Sequence, residues 1–476
     1  MVRGIDGIDK VHVMGVGGTA MSAVAGLFRE AGCQVRGSDQ AAPYPPVSVL
    51  LDQLGIPVMH PYGPQNLEWD PDLVIVGNVI RRVNPEAIAV LESGRPHLSF
   101  PQAMNKYFLS NRRSLVVAGT HGKTTTTSLI CHLLHAQGLD PSFLVGGVPL
   151  DFGVNYRLGS GPHFVIEGDE YDTAFFDKGP KFLHYAPSAA IINNVEFDHA
   201  DIFKDLDAVI AAFAKFAALV PGNAPLLVPE GDPNVPAVLA QAGAIGTTFG
   251  VERGTWQATE VTRGAGRCRF RLTNNGRTAG IFETPLIGDH NLRNTVAALA
   301  LLHEVGAVTP ELPAALAQFQ GIRKRQEVKG VEGGVTVIDD FAHHPTAVRE
   351  TILAVRQAYP GARLVALFEP ESNTSRRRVF QAEYADAFAQ ADVMLFYKPF
   401  EKPDNLAPDE RIDMDRLCAD ISARGTPARM IPDIDALANE AAQVALPGDV
   451  VLGMSGRDFQ GIHARVLTAL RGRKGI

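Results

Sequence analysis

The sequence predicts an α/β protein of three domains: a Rossmann-like N-terminal domain, a central P-loop ATPase-type domain with a small antiparallel insert, and a C-terminal doubly wound Rossmann-like domain. Three observations carry this reading. The 476 residues are more than one hydrophobic core fills and suit roughly three domains. Short apolar runs of strand length alternate with amphipathic stretches of helical length, the pattern of parallel βα units. A strand, a glycine turn and a helix open twice, near Val11 and near Leu115, the second time behind the polar joint Asn111-Arg112-Arg113. The expected boundaries are residues 1–109, 110–322 and 323–476.

In the first unit a strand from Val11 leads through glycines to a helix over Met21–Ala31, stopped by Gly32, and to a second strand ending at Ser38-Asp39. Leu73–Gly77 and His97–Phe100 add strands around a helix over Pro85–Ser93. The second unit starts with the strand Leu115–Ala118 and a helix over Thr124–Gln137. Strands His163–Glu167 and Ala189–Asn194 and the helix Asp205–Leu219 follow. Trp256–Phe282 alternates apolar and polar residues about Asn274-Asn275-Gly276, a strong hairpin signal. The helix Leu292–Val305 and a Gly- and charge-rich loop, Gly321–Gly334, lead to the third unit, with strands Thr336–Asp340, Arg363–Phe368, Val393–Tyr397 and Asp449–Met454.

Composition narrows the function. Lys and Arg number 44 against 52 Asp and Glu, a formal net charge of −8, so there is no basic field to hold a nucleic-acid backbone. The most apolar helical stretch, Ala208–Val220, is interrupted by Lys215 and falls short of the roughly 20 residues a bilayer crossing needs. The start of the chain carries charges and no apolar signal core. Four scattered cysteines, Cys33, Cys131, Cys268 and Cys418, have neither metal-site spacing nor disulfide density. A cytoplasmic protein that works on small molecules, without nucleic-acid or membrane partners, is expected.

The strongest local signal is Ala118-Gly119-Thr120-His121-Gly122-Lys123-Thr124-Thr125, between a strand and a helix. Such a loop presents backbone amides and a helix N-terminus to a polyphosphate, with Lys123 reaching the β and γ phosphates and Thr124 ligating Mg²⁺. The first glycine of the usual G-x-x-x-x-G-K-[ST] pattern is replaced by Val117. The plain alternative is a glycine-rich turn capping a helix. A second loop, Gly15-Val16-Gly17-Gly18-Thr19-Ala20, fits G-x-G-x-x-A, with Ser38 and Asp39 at the end of the next strand. It suits a diphosphate, but a tight βα turn has the same look, and Asp39 serves equally as a helix cap.

Acidic and imidazole groups recur at strand ends, where open α/β sheets gather ligands. Glu167-Gly168-Asp169-Glu170 and Asn193–His199 both stand there, so Glu167 and His199 are candidate partners of Thr124 on one Mg²⁺; oxygen preference favours Glu167. A satisfied turn is the alternative for Asp198-His199. In the third unit Asp339–Pro345, Glu369–Arg378 and Ser455–Gly461 follow strands and place histidines and arginines on one rim, suited to phosphoryl transfer. Arg376–Arg378 also reads as a solvated helix start. Zinc at His343-His344 is disfavoured, because no Cys or further His stands at ligand spacing.

Taken together, Ala118–Thr126, Glu167–Glu170, Asn193–His199, Gly288–Asn294 and Asp340–Pro345 resemble the Mur ligases of peptidoglycan synthesis, over about Val11 to Leu470. Tyr44-Pro45-Pro46, Gly77-Asn78, Asn84-Pro85, Glu170–Lys178 and Ser372–Thr374 are similar to the branch of that family that recycles murein peptide. The resemblance implies an ATP- and Mg²⁺-dependent ligase joining L-Ala-γ-D-Glu-meso-diaminopimelate to UDP-N-acetylmuramate through an acyl phosphate. It implies that Gly15, Gly17, Gly18, Thr19 and Ala20, with Ser38 and Asp39, hold the UDP-sugar. Lys123, Glu167, His199 and His344 would be catalytic. Gly119, Thr120, His121, Gly122, Lys123, Thr124 and Thr125, with Asn291, Arg325 and Asp340, would hold ATP; Thr124, Glu167 and His199 the metal; and Ser372, Asn373, Thr374 and Arg376 the peptide. Glu371 and the 455–461 loop depart from the family pattern. Lys215 lies in the region where several members of the family carry a carbamylated lysine, a feature the resemblance does not imply for the L-alanine-adding and murein-peptide branches, and a solvated helical lysine is expected. The branch that adds L-alanine to UDP-N-acetylmuramate is the near rival, and a nicotinamide-dependent oxidoreductase the remote one.

Overall fold

Val, Ile and Leu runs covered on both faces build the central strands, as parallel sheets flanked by helices require. Leu73–Val76, Ala189–Ile192 and Leu364–Phe368 are buried along their whole lengths. The computed structural model describes residues 5–198, 202–264, 266–401 and 406–473. It holds three principal sheets. The first has five parallel strands in the order Val58–Met59, Gln34–Ser38, Lys10–Met14, Leu73–Val76, His97–Ser99. Its helix Thr19–Glu30 docks on the central domain: a Cβ at Gly26 would collide with the Tyr156 ring, and the Glu30 carboxylate accepts the Leu158 N–H at 2.7 Å.

The central sheet has ten strands, with Leu226–Pro229, Ala189–Ile192, Arg113–Ala118 and His163–Glu167 side by side and parallel at its middle. The antiparallel segment forms, turning at Asn275 and Gly276, both at positive φ (47° and 77°). The insert is continuous with the central sheet. Trp256–Gly264 pairs in parallel with Thr247–Val251, so the three strands prolong the main sheet. Burial of Trp256, whose Nε1–H donates to Glu304 at 2.8 Å, anchors this join.

The third sheet runs Glu327–Glu332, Val335–Asp340, Val450–Met454, Leu364–Phe368, Val393–Tyr397, Ala428–Ile431. Only its first pair is antiparallel. Glu327–Glu332 was expected as loop. It is an edge strand whose Val328 and Val331 stay exposed, so burial leaves no alternation to read. The C-terminal ends of the central and third sheets meet the first domain's helix start around one cavity of about 540 Å³.

Candidate active site

The cavity is built around the loop Gly119–Gly122, between the strand Arg113–Ala118 and the helix Lys123–Ala136. Gly119 (φ +132°) and Gly122 (φ +80°) occupy backbone conformations that L side chains rarely adopt. The loop is held from behind by the next strand end. Asn194 accepts the Thr120 N–H on its carbonyl (3.1 Å) and the His121 N–H on Oδ1 (2.7 Å). Those two amides are therefore engaged, whereas the Lys123, Thr124 and Thr125 amides open the helix without helical carbonyl partners, the arrangement that suits an anion.

Lys123 is folded onto its own loop. Its Nζ donates to the Gly119 carbonyl at 2.7 Å and pairs with Glu170 at 3.0 Å, with Glu170 almost wholly buried. Burial alone would lower the ammonium pKa; the Glu170, Asp169 and Glu167 carboxylates outweigh it and hold it above the ordinary lysine value. Thr124 Oγ1 donates to Glu167 at 3.2 Å, and Glu167 also accepts the Gly146 N–H at 2.6 Å. Burial pushes the Glu167 carboxyl up, against those bonds and the pull of Lys123 and Arg325. A cation would reverse that shift. Thr124 and Glu167 form an all-oxygen donor pair that fits Mg²⁺. His199 lies outside the described residues.

The C-terminal domain closes the other wall. Arg325, half-buried and lying 4.7 Å over the Phe341 ring, points Nη2 at Thr124 Oγ1 (3.5 Å). Asn291 lines the cavity while its Nδ2 donates to Ile287 O and to Gln326 Oε1. Beside it, His290 is pushed down to about 4 by burial and by Arg293. Asp340 also lines the cavity, yet its carboxylate accepts the Gln326 and Ala342 amides at 2.8 and 2.7 Å, so it fixes the loop rather than presenting a free charge. His344 Nδ1 accepts the Thr346 N–H at 3.3 Å, which leaves the proton on Nε2. That Nε2 is buried without a protein partner and adjoins the cavity, and burial with His121 nearby keeps the ring neutral. His121, Glu196 and His344 bring ligand atoms within 4.8 Å of one another, a convergence invisible in sequence spacing. The tautomer of His344 makes it a donor, not a metal ligand.

Three family models match successive parts of the chain: "Mur ligase family, catalytic domain" over residues 10–112, "Mur ligase middle domain" over 117–302 and "Mur ligase, glutamate ligase domain" over 324–457. The chain belongs to the Mur ligase family. It is 40% identical over 462 residues to the UDP-N-acetylmuramate–L-alanyl-γ-D-glutamyl-meso-2,6-diaminoheptandioate ligase of Escherichia coli K12, covering 97% of this chain and 98% of that one. The UDP-N-acetylmuramate–L-alanine ligase of Desulfitobacterium hafniense Y51 is 33% identical, with coverage of 94% and 97%. Among solved structures, the murein peptide ligase of Psychrobacter arcticus 273-4 superposes with a TM-score of 0.71 at 33% identity over 98% of this chain and 99% of that one.

As a Mur ligase, the protein is an ATP-dependent, amide-forming ligase with the three-domain fold of that family. Of the residues expected to hold a UDP-sugar, Ala20 reaches the cavity. Gly15 (φ +78°) and Val16 give their amides to the Ser38 carbonyl at 2.8 and 3.2 Å, and the Gly17 amide is taken by Asp39 Oδ2 at 2.8 Å. Gly18 and Thr19 start the helix. The Ser38 hydroxyl turns inward to Glu86, at 2.5 Å. Ser372, Asn373, Thr374 and Arg376 stand outside the cavity lining. Thr374 is buried, with its hydroxyl on Asp198, and Arg376 is buried too, so the solvated-helix alternative fails for that arginine. Lys215 is exposed, as a solvated helical lysine would be. Glu170, Asn194 and Glu196 lie in the two segments expected at ligand-gathering strand ends, but the sequence assigned them no role of their own, and nothing in it marked Thr346, which lines the cavity.

Proposed function

We propose that the protein joins L-alanyl-γ-D-glutamyl-meso-diaminopimelate to UDP-N-acetylmuramate, with ATP converted to ADP and phosphate, returning murein peptide to wall synthesis. Full-length identity of 40% to a ligase named for that reaction, against 33% to one named for L-alanine, supports this acceptor. The observation that carries the chemistry is one cavity lined by Lys123, Thr124 and Glu167 from the central domain and by Arg325 and His344 from the third. Dependence on ATP and a nucleotide sugar assigns the reaction to the cytoplasm, and no described helix is long and apolar enough to cross a membrane.

The helix-opening amides and Lys123 hold the β and γ phosphates. The muramoyl carboxylate oxygen attacks the γ phosphorus and ADP leaves. Lys123 and Arg325 stabilise the charge that spreads over the phosphoryl oxygens. The peptide's amino group then attacks the acyl carbon, loses a proton, and phosphate departs with one former carboxylate oxygen. The carboxylate is thereby turned from a poor acyl donor into one with a phosphate leaving group. His344 Nε2–H, uncharged and unpartnered at a residue that lines the cavity, orients an anionic oxygen there. Thr124 and Glu167 would hold Mg²⁺, which when bound neutralises phosphate charge. Residues 1–109 serve as the UDP-sugar domain, 110–322 as the ATP domain and 323–476 as the domain that brings the peptide. Labelling the muramoyl carboxylate with ¹⁸O tests the scheme: one label is expected in the released phosphate. Unlabelled phosphate would rule out the acyl phosphate.

A further inference from the structure

Residues Asn193–Asp198 face two ways. Their first half scaffolds the phosphate loop. Asn193 Nδ2 donates to Thr126 Oγ1 at 3.0 Å, Asn194 holds the Thr120 and His121 amides, and the Glu196 N–H donates to Thr120 Oγ1 at 2.9 Å. Their second half reaches the C-terminal domain. Glu196 accepts the Thr346 hydroxyl at 2.7 Å and lies 3.5 Å from His121 Nε2. The Phe197 ring stacks on Phe380, and Asp198 accepts the Thr374 hydroxyl at 2.5 Å. The two threonines follow different strands of the third sheet, Val335–Asp340 and Leu364–Phe368, so one six-residue segment grips that domain at two strand ends.

We propose that Glu196 and Asp198 are positioning residues that latch the C-terminal domain over the nucleotide, with Thr346 and Thr374 as the catches. The same backbone that sets the phosphate loop carries the latch, so a loop held in its phosphate-binding shape and a seated third domain favour each other. A hydroxyl donating to a carboxylate is among the stronger hydrogen bonds, and an interdomain bond of this kind biases an open–closed equilibrium directly. The inference concerns closure and stands whichever amine the enzyme accepts.

The test compares full-length Thr346→Val/Thr374→Val with Thr346→Ser/Thr374→Ser, which keeps both hydroxyls. Small-angle scattering is recorded with a non-hydrolysable ATP analogue, and turnover with all substrates. The Val pair is expected to be more extended than wild type and to lose about tenfold in kcat, with the KM for UDP-N-acetylmuramate within about twofold of wild type because the first domain is untouched. The Ser pair, which keeps both hydroxyls, is expected to scatter as compactly as wild type. Wild-type scattering in the Val pair, or a Ser pair as extended as the Val pair, would overturn the latch. Thr346→Val alone, at the interface and outside either core, supplies the same comparison at smaller amplitude if the Val pair does not fold. Scattering needs no acceptor, so an error in the assigned acceptor leaves this result readable.

Discussion

Lys123 is claimed by two sets of anions, the phosphates it is proposed to hold and Glu170, which it meets at 3.0 Å with both side chains largely buried. This separates stability from catalysis. Lys123→Ala strands a buried carboxylate, a change that costs about 3–5 kcal/mol, and removes a phosphate ligand, which costs roughly 100- to 1,000-fold in turnover. Adding Glu170→Gln should restore most of the lost thermal stability and none of the turnover. In both variants UDP-N-acetylmuramate binding, followed by calorimetry, should stay near wild type, because the site proposed for it belongs to another domain. Recovery of turnover in the double variant would show that Lys123 acts through the fold alone. The residue types needed at this centre were legible: Lys and Thr after glycines behind a strand. The Glu170 pairing was not, since three acidic residues stand within four positions and spacing does not say which one turns toward the lysine.

At the scale of elements, the strand–loop–helix unit rests on a close approach between Gly119 and the end of a neighbouring strand. A Cβ at Gly119 would lie 2.9 Å from Asn193 Cβ and from the Asn193 backbone nitrogen, at a φ of +132°. Gly119→Ala should therefore weaken ATP binding by roughly 5- to 150-fold, from local strain on the order of 1–3 kcal/mol, while UDP-N-acetylmuramate binding persists. Unchanged ATP affinity by calorimetry would mean the loop relaxes freely. Elements of this kind were readable because apolar period and glycine punctuation coincide; the helix expected at Thr124–Gln137 runs over Lys123–Ala136. The strand Glu327–Glu332 was not readable. Its apolar residues face solvent, and its reason to be a strand is backbone pairing with Val335–Asp340, about which composition says nothing.

For the whole molecule, function depends on surfaces that no local pattern encodes. Thr346 meets Glu196 across 150 positions, and Thr374 meets Asp198 across 176. The count of domains follows from length and from repeated βα starts, but the way three sheets turn their strand ends to one cavity follows from packing such as Tyr156 over Gly26. Family membership narrows the chemistry to amide ligation and removes the nicotinamide reading. The choice of amine then decides what the enzyme is for. The decisive measurement is the initial rate of phosphate release by the purified full-length protein with UDP-N-acetylmuramate, ATP and Mg²⁺, given either L-alanyl-γ-D-glutamyl-meso-diaminopimelate or L-alanine, with the product weighed by mass spectrometry. Faster turnover with the tripeptide, and a product heavier by that tripeptide less one water, is the expected result; faster turnover with L-alanine would contradict the account.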